Sequence, residues 1–262
     1  MAPAAAHAMS SPTRPEGLSQ SGRELFLEAA EVLGLTEMGV QLTAHLEEFS
    51  LFQAMLVTTG RQTNLTSLLS ERDIVLKHFI DSLSCLKSGM LDGPLKVLDI
   101  GTGAGFPGLP LAIVSPGLRM DMLDATRRKI EFVDSVVAAL KLTNSAGVVG
   151  RAERLGRQPE RRGSYDRVVT RAVSALAVLV ELSLPLLKEG GVLIAQKGAM
   201  GEAELEAGRR AAAEVGGALE DVQPFELPIL NDPRTLVCVR KTGPTPEKYP
   251  RREGMPAKHP LF

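Results

Sequence analysis

The spacing of apolar residues changes near Lys96, and this change divides the chain into two parts. Before Lys96, apolar residues recur every three or four positions, as on one face of an amphipathic helix. After it, short apolar runs alternate with helical patterns, as in a parallel sheet that is covered by helices. We therefore predict an α/β fold, a doubly wound sheet with an N-terminal helical extension.

The first part contains three helical patterns and no segment with the alternation of a strand. The first pattern spans 21–35, with Ser21 as the expected N-cap and Glu24 at the capping-box position. The second spans 36–59, and a polar break, RQTNLTS, separates it from the third at 70–89. We expect this helical region to pack against the sheet.

Seven strands are predicted in the second part. They cover, in chain order, 95–100, 118–124, 146–150, 165–173, 190–198, 218–229 and 234–241. Helical patterns connect most of them, which favours parallel pairing. Only LNDP separates the last two strands, so we predict that the sheet ends in an antiparallel hairpin.

The chain is divided into an expected disordered tail (1–20), the helical region (21–92), the sheet core (93–243) and a final segment (244–262). The final segment is rich in proline and basic residues. Because proline lacks an amide donor, we predict that this segment is neither a helix nor a central strand. We assign it to the same domain as the core.

Composition limits the classes of function. The formal net charge is −1, aromatic residues make up 4% of the chain, and there is no Trp. A broad aromatic platform for single-stranded nucleic acid is therefore not expected, and any surface for a polyanion must be local. Cys85 and Cys238 stand alone, which favours reduced thiols in a cytoplasmic protein and no metal site. No apolar run has the length of a membrane span.

A glycine-rich loop, DIGTGAGFPG, follows the first predicted strand. Gly103, Gly105 and Gly108 match the G-x-G-x-x-G pattern of dinucleotide sites, which alone is a weak signal. Gly101 already turns the chain after the strand, and this register places Asp99 at the loop entrance. A carboxylate there would repel a pyrophosphate and attract a cationic cofactor, and S-adenosylmethionine carries an ammonium and a sulfonium. No Gly-Lys-Ser/Thr follows the glycines, so a P-loop is excluded.

Asp124 ends the second predicted strand, at the distance beyond the loop that ribose recognition requires. A carboxylate there can accept hydrogen bonds from both ribose hydroxyls. The same position would suit an ordinary helix N-cap. Asp124 also does not distinguish a nicotinamide cofactor from S-adenosylmethionine.

Several motifs together resemble the bacterial 16S ribosomal RNA guanine-N7 methyltransferase G family, also called glucose-inhibited division protein B. They are NLTS, LKHFIDSL, VLDIGTGAGFPGLPLAI, LDATRRKIEFV, GRAE, VVTRAVSAL and TPEKYPRREGMPAKHPL. The resemblance runs from about residue 25 to the end. It implies a class I S-adenosylmethionine-dependent methyltransferase fold and methyl transfer to N7 of guanine 527 in the 530 loop.

The glycine loop itself indicates Asp99, Gly103 and Gly105 as cofactor contacts, and the resemblance implies the others of the full set. The full set is Asp99, Gly101, Gly103, Gly105, Phe106, Asp124, Ala125, Thr126, Ala152, Glu153 and, near the methionine end, Arg171. Ala125 stands where we expect a serine, which changes little if that contact is through the backbone. Phe106 could instead belong to the core, Glu153 could be a solvated surface charge, and Arg171 could pair with Asp99 or Asp166.

Guanine N7 carries an exposed lone pair, so its methylation requires no general base. The candidates for positioning the base or a phosphate are Arg171, Lys197 and His78. His78 could equally be packed on its helix, and Asp81, three residues further on, could brace His78 or the loop.

RNA binding needs exposed cations. The candidates are Arg127, Arg128, Lys248, Arg251, Arg252 and Lys258, and we expect those of the final segment to matter most. The expected partner is 16S rRNA within the small subunit or its precursor, and we expect a monomer. Alternatives are a cofactor-binding scaffold, a nicotinamide oxidoreductase and a small-molecule methyltransferase.

Overall fold

The computed structural model describes residues 17–63, 65–171 and 174–262. The first sixteen residues of the predicted tail, and Asn64 of the predicted polar break, lie outside the described residues. The strands are β1 (Lys96–Ile100), β2 (Arg119–Asp124), β3 (Ser145–Val149), β4 (Tyr165–Arg171), β5 (Leu187–Lys197), β6 (Gly217–Leu227) and β7 (Asp232–Lys241). They form one sheet in the order β3-β2-β1-β4-β5-β7-β6.

Helices cover both faces of this sheet. They are α1 (Gln20–Leu33), α2 (Leu46–Thr63), α3 (71–88), α4 (Gly108–Val114), α5 (Arg127–Ala139), α6 (Ala152–Leu155), α7 (Leu176–Ser183), α8 (Glu202–Val215) and α9 (Met255–Lys258). A 3-10 turn, Leu42–His45, precedes α2. In α3 an α turn (Glu71–Asp73) leads into a π-helical stretch (Ile74–Ile80), a second α turn (Asp81–Leu83) and a 3-10 turn (Ser84–Ser88).

The predicted doubly wound α/β sheet is confirmed. Strands β1 to β5 pair in parallel, and β7 runs antiparallel to both of its neighbours, β5 and β6. The last strand thus lies inside the sheet, and β6 forms the edge. In β1, Val97 belongs to the apolar core on one face and Leu98 to the core on the other. Burial on both faces explains why the parallel strands are continuous apolar runs in the sequence.

Three sequence-based predictions of local structure were wrong. Ser19, not Ser21, caps α1, since its side chain accepts a hydrogen bond from Gly22 N. The second helix, α2, begins at Leu46 after the 3-10 turn rather than at 36, because Gly39 adopts a left-handed conformation (φ +82°) that interrupts the pattern. It ends at Thr63, inside the predicted polar break. The final segment does contain a short helix, α9, with its proline in the first turn, where no amide donor is needed.

An aromatic cluster joins the N-terminal helices to the sheet. The ring centroids of Phe26 and Phe49 lie 4.8 Å apart, and those of Phe49 and Phe79 lie 4.9 Å apart. Phe52 stacks on Phe106 of the glycine loop at 5.2 Å. Helices α1, α2 and α3 therefore share one apolar core with the strands, and they hold the loop from the side.

The final segment folds back on the core instead of extending from it. Arg162 donates hydrogen bonds to the carbonyl oxygens of Thr245 and Tyr249, at 2.9 and 2.8 Å. Arg251 binds the carboxylate of Glu181, which lies fully buried on α7. Among the described residues, no helix is both long and apolar enough to cross a membrane.

Candidate functional site

Two neighbouring pockets open at the carboxyl ends of the parallel strands. The sheet order reverses between β1 and β4, which is the position where open α/β sheets bind ligands. The glycine-loop cleft, about 260 Å³, is lined by Gly101, Asp124, Ala125, Ala152 and Glu153 among others. The arginine pocket, about 300 Å³, is lined by Lys77, His78, Asp81, Arg171, Lys197 and Arg234 among others.

The glycine loop uses conformations that only glycine adopts easily. Gly101, Gly103 and Gly105 have φ angles of +75°, +60° and +94°. A Cβ on Gly105 would also lie 2.2 Å from Leu109 Cδ1, so this turn packs closely on α4. At Gly103 a Cβ would meet nothing nearer than the Gly101 carbonyl at 4.0 Å. The backbone at this point therefore borders open space, as a cofactor cradle requires.

Asp99 is buried at the entrance to this loop, as the register of the glycines predicted. Its Oδ2 accepts a hydrogen bond from Gly108 N at 2.9 Å, while Oδ1 has no partner within the described residues. Burial raises the pKa of Asp99 to about 7, although the neighbouring Thr102 side chain, the Gly108 hydrogen bond and the charge of Arg171 oppose this rise. A buried carboxylate oxygen without a donor fits a cationic or amine-bearing cofactor.

Asp124 connects the loop to the start of α5. Its Oδ1 accepts from Thr126 N at 2.8 Å, and its Oδ2 accepts from Gly103 N at 3.2 Å. Lys129 Nζ lies 3.5 Å from Oδ2. A carboxylate has about four acceptor positions, and the two hydrogen bonds occupy two of them. Capacity for ribose hydroxyls therefore remains on the side that lines the cleft.

The far wall of the cleft is built by α6 and the final segment. Ala152 and Glu153 line it from the start of α6, and Ala257 lines it from α9. Glu153 is 7% exposed, and its Oε1 accepts a hydrogen bond from Gly254 N at 3.0 Å. The carboxyl-terminal segment therefore forms part of the predicted adenine side of the cleft, which its sequence does not indicate.

Phe106 is buried within the aromatic cluster, where it stacks on both Phe52 and His78. Thr126 is exposed, and Ala125 lines the cleft beside it. The cofactor roles of Phe106 and Thr126 stay predictions.

Arg171 lies at the end of β4, in the arginine pocket. Its Nη1 is 3.3 Å from Asp81 Oδ2 and donates to the carbonyl of Lys77 at 2.9 Å. Arg171 thus forms its ion pair with Asp81 rather than with Asp99 or Asp166, the two partners that we considered from the sequence. Burial lowers the pKa of Arg171, and the Asp81 carboxylate opposes this shift.

His78 connects the arginine pocket to the glycine loop. Its ring stacks on Phe106 with centroids 4.5 Å apart, and its Nε2 lies 3.1 Å from Thr66 Oγ1. Burial and the nearby charge of Arg171 lower the pKa of His78 to about 4, so the imidazole is neutral at pH 7. The NLTS and LKHFIDSL motifs therefore meet at this histidine, and Asp81 does not brace it.

Lys197 lies where the two pockets adjoin. Its Nζ pairs with Glu204 at 2.8 Å and donates to the carbonyl of Ser174 at 2.6 Å. Ser174 itself lines the glycine-loop cleft, whereas Lys197 lines the arginine pocket.

The predicted RNA-binding cations fall into two groups. Arg127, Arg128, Arg252 and Lys258 are exposed. Lys248 is exposed but pairs with Glu214 at 2.9 Å. Arg251 pairs with the buried Glu181 at 2.7 Å. Because Arg251 is occupied by a structural partner, we do not retain it among the proposed RNA contacts.

Two polar residues of the arginine pocket escaped the sequence-based prediction. Gln196 donates to the Asp81 carboxylate and, at 2.7 Å, to the Asp81 carbonyl. Arg234 Nε lies 3.0 Å from Asp81 Oδ1. The predicted antiparallel hairpin could have indicated Arg234. A strand that runs antiparallel to β5 begins beside the end of β5, and Lys197 at that end pairs with Thr235.

Comparison with known proteins identifies the family. A family model described as rRNA small subunit methyltransferase G matches residues 45–229. A protein of that name from Deinococcus radiodurans is 55% identical over 248 residues, which cover 95% of this chain and 96% of the relative. Its namesake from Bacillus subtilis is 41% identical over 229 residues, 87% of this chain and 96% of the relative.

A likeness to a solved structure supports the fold alone. A structure described as a putative transferase from Pyrococcus horikoshii superposes with a TM-score of 0.50 at 14% sequence identity, covering 62% of this chain and 63% of that one. The family assignment made from the motifs is confirmed: the chain belongs to the rRNA small subunit methyltransferase G family.

Proposed function

We propose that this protein transfers a methyl group from S-adenosylmethionine to N7 of a guanine in 16S rRNA, nucleotide 527 of the 530 loop. Family membership supports methylation of small-subunit rRNA. The choice of N7 and of this guanine rests on the resemblance of the motifs. The enzyme acts as a cytoplasmic monomer on the small subunit or its precursor.

S-adenosylmethionine, when bound, supplies an electrophilic methyl group on a sulfonium. Asp124 would accept hydrogen bonds from the ribose hydroxyls in the glycine-loop cleft, and Ala152 with Glu153 would border the adenine. The buried carboxylate of Asp99, at the entrance to the loop, would favour the cationic amino-acid end. No phosphate-binding feature is needed for this cofactor, which agrees with a carboxylate at the loop entrance.

The arginine pocket suits the guanine. N7 attacks directly by in-line displacement, so the protein's task is to align the base, exclude water and favour the charge that develops on the purine. Arg171 and Arg234 can donate to guanine O6, an acceptor that arginine often recognises in guanine. His78 is neutral at pH 7, so it adds no further positive charge beside the purine, which becomes positive on methylation. The Asp81 carboxylate offsets part of the charge of the two arginines.

One contact carries the proposal. Lys197, which lines the arginine pocket, donates to the carbonyl of Ser174, which lines the glycine-loop cleft. A cleft for a cationic cofactor therefore adjoins a pocket rich in cations, as transfer between a small donor and a nucleic acid requires. A scaffold without catalysis would not need the second pocket.

Mapping of the methylated atom tests this function. The purified protein is incubated with S-adenosylmethionine and small-subunit particles from cells that lack it, and the rRNA is digested and analysed by mass spectrometry. We expect one new N7-methylguanine, at nucleotide 527. A methyl group on another atom, or on no RNA at all, would contradict the proposal. Calorimetry separates two alternatives. The oxidoreductase predicts binding of NADH, whereas the cofactor-binding scaffold predicts binding of S-adenosylmethionine without methylation of the RNA.

A further inference from the structure

The carboxylate of Asp81 is contacted by side chains from three strands. It lies on α3 and is 8% exposed at the side chain. Arg171 contacts it from β4 at 3.3 Å, Arg234 from β7 at 3.0 Å, and Gln196 from β5. One helical side chain thus sets the relative position of two guanidinium groups that come from strands distant in the sequence.

The four cations of the arginine pocket do not have equal numbers of carboxylate partners. Lys77 has its own carboxylate, Asp73, at 2.9 Å, and Lys197 has Glu204 at 2.8 Å. Arg171 and Arg234, 13% and 18% exposed at their side chains, share Asp81. 

Two further acidic groups compensate this pair only in part. The Nη2 of Arg234 is 4.0 Å from Asp232, which is half exposed. Asp99 lies near enough to act on Arg171, but its pKa of about 7 leaves it only partly ionised at neutral pH. Cations withdrawn from water without full compensation are costly, so an electron-rich ligand would be favoured there.

Each guanidinium group also has one terminal nitrogen bound to a backbone carbonyl. Arg171 Nη1 donates to the carbonyl of Lys77, and Arg234 Nη1 donates to the carbonyl of Pro233 at 3.0 Å. With these anchors and Asp81 between them, the two side chains have little freedom to rearrange when a ligand enters. Such preorganisation is what catalysis by alignment requires.

We propose that Asp81 is a positioning residue, which holds Arg171 and Arg234 as a pair of donors for the oxygen-rich edge of the target nucleotide, guanine O6 or its phosphate. The inference rests on the proposed function, since it places the RNA nucleotide in the arginine pocket. Asp81 lines the same pocket, but both of its carboxylate oxygens are engaged by Arg171, Arg234 and Gln196, so it acts through the two arginines. Arg234 becomes a substrate-binding residue beside Arg171.

The first test is Asp81→Asn, which keeps an acceptor for Gln196 but removes the charge that the two arginines share. We expect kcat for rRNA methylation to fall at least tenfold, with the affinity for S-adenosylhomocysteine, measured by calorimetry, within twofold of wild type. Asp92→Asn is the control, because it removes an exposed carboxyl group beyond the end of α3 that does not line the arginine pocket, and its kcat should stay within twofold.

A double-mutant cycle tests the route of the effect. If Asp81 acts through Arg234, the loss of kcat/KM in Asp81→Asn with Arg234→Gln will be well below the product of the two single losses. Arg234→Lys should recover less than the full activity, because lysine lacks the fork that fits a bidentate acceptor. Thermal unfolding shows whether Asp81→Asn folds. If it does not, the Arg234 variants remain informative, because that side chain is partly exposed and its replacement disturbs the core less.

Three results on catalysis, and one on cofactor affinity, would overturn the inference. The three on catalysis are an unchanged kcat in Asp81→Asn, fully multiplicative losses in the double variant, or, if Asp81→Asn does not fold, an unchanged kcat/KM in Arg234→Gln. A parallel loss of cofactor affinity and activity would also overturn it, since it would make Asp81 merely structural. The methylated atom in the wild-type product is mapped first. A methyl group on an atom other than N7 would contradict the proposed function. The double-mutant cycle, with the rate of that methylation as its readout, would still test the role of Asp81.

Discussion

At the scale of single residues, Asp99 shows how burial changes the role of a charge. Its position on β1 removes the side chain from water entirely, and the pKa rises to about 7. Its Oδ1, which has no hydrogen-bond partner in the described part of the chain, then offers a binding position. Near neutral pH the carboxyl group is only partly ionised. A cationic cofactor will favour the ionised form, so cofactor binding and proton release are linked at this residue.

Asp99→Asn should separate the two roles of this side chain. In the wild type, the affinity for S-adenosylmethionine should rise from pH 6 to pH 8, because more of Asp99 is ionised. The variant should bind about tenfold more weakly at pH 8 and lose most of this pH dependence, since one pKa unit corresponds to about 1.4 kcal/mol. Calorimetry at pH 6, 7 and 8 measures both effects. Asp92→Asn, an exposed carboxyl before the same strand, serves as control.

The same substitution should affect stability in the opposite direction. The folded-state pKa of Asp99 is raised, so its favourable contribution to folding is present below about pH 4 and is lost as the pH rises through about 7. Asp99→Asn, which cannot ionise, should therefore raise the melting temperature of the cofactor-free protein most at pH 8, less at pH 5 and least near pH 4. A variant that melts lower at pH 8 would show that the ionised form stabilises the fold.

At the scale of elements, the final segment is a structural part of the enzyme as well as a basic sequence. Glu181 on α7 accepts from both the backbone amide and the guanidinium of Arg251. Gly254 is tied to Glu153, and Ala257 borders the glycine-loop cleft. The segment therefore couples α6 and α7 to the cofactor side of the molecule.

Arg251→Ala should destabilise the protein by about 2–4 kcal/mol, because it leaves a fully buried carboxylate without its cation. Its neighbour Arg252 is exposed, and Arg252→Ala should change stability by less than about 0.5 kcal/mol. Urea unfolding of the two variants measures the difference. Equal stabilities would contradict a structural role for the Arg251–Glu181 pair.

At the scale of the whole molecule, a net charge of −1 provides no general attraction for RNA. The exposed Arg127 and Arg128 begin α5 at the carboxyl edge of the sheet, next to the glycine-loop cleft. Arg252 and Lys258 add exposed cations from the final segment, whose α9 contacts the same cleft through Ala257. We infer that RNA approaches this edge, where a local basic surface substitutes for a large net charge.

Arg127→Glu with Arg128→Glu should weaken binding of a 530-loop RNA at least tenfold and reduce the salt dependence of binding, because phosphate contacts release counterions. Fluorescence anisotropy at several salt concentrations measures both quantities. Arg119→Glu with Lys141→Glu changes the charge equally at the amino edge of the sheet and should have a clearly smaller effect. Equal effects of the two double variants would place the RNA elsewhere.

The sequence by itself determined the features that depend on short-range pattern. The alternation of strands and helices, the left-handed glycines after β1, and the carboxylates Asp99 and Asp124 at strand ends could all be predicted, because period and local spacing encode them. Family membership followed from the same motifs. The errors lay at helix ends, such as Ser19 and Gly39, where neighbouring conformations compete closely.

Only the tertiary structure decided which charges meet. Asp81 contacts Arg171, Gln196 and Arg234, which are 90, 115 and 153 residues away in the sequence. The partner of Arg251 is 70 residues away. No local pattern records such pairings, because an ion pair forms wherever packing brings two groups together at low exposure. The arginine pocket and the structural role of the final segment therefore exist only in the folded chain.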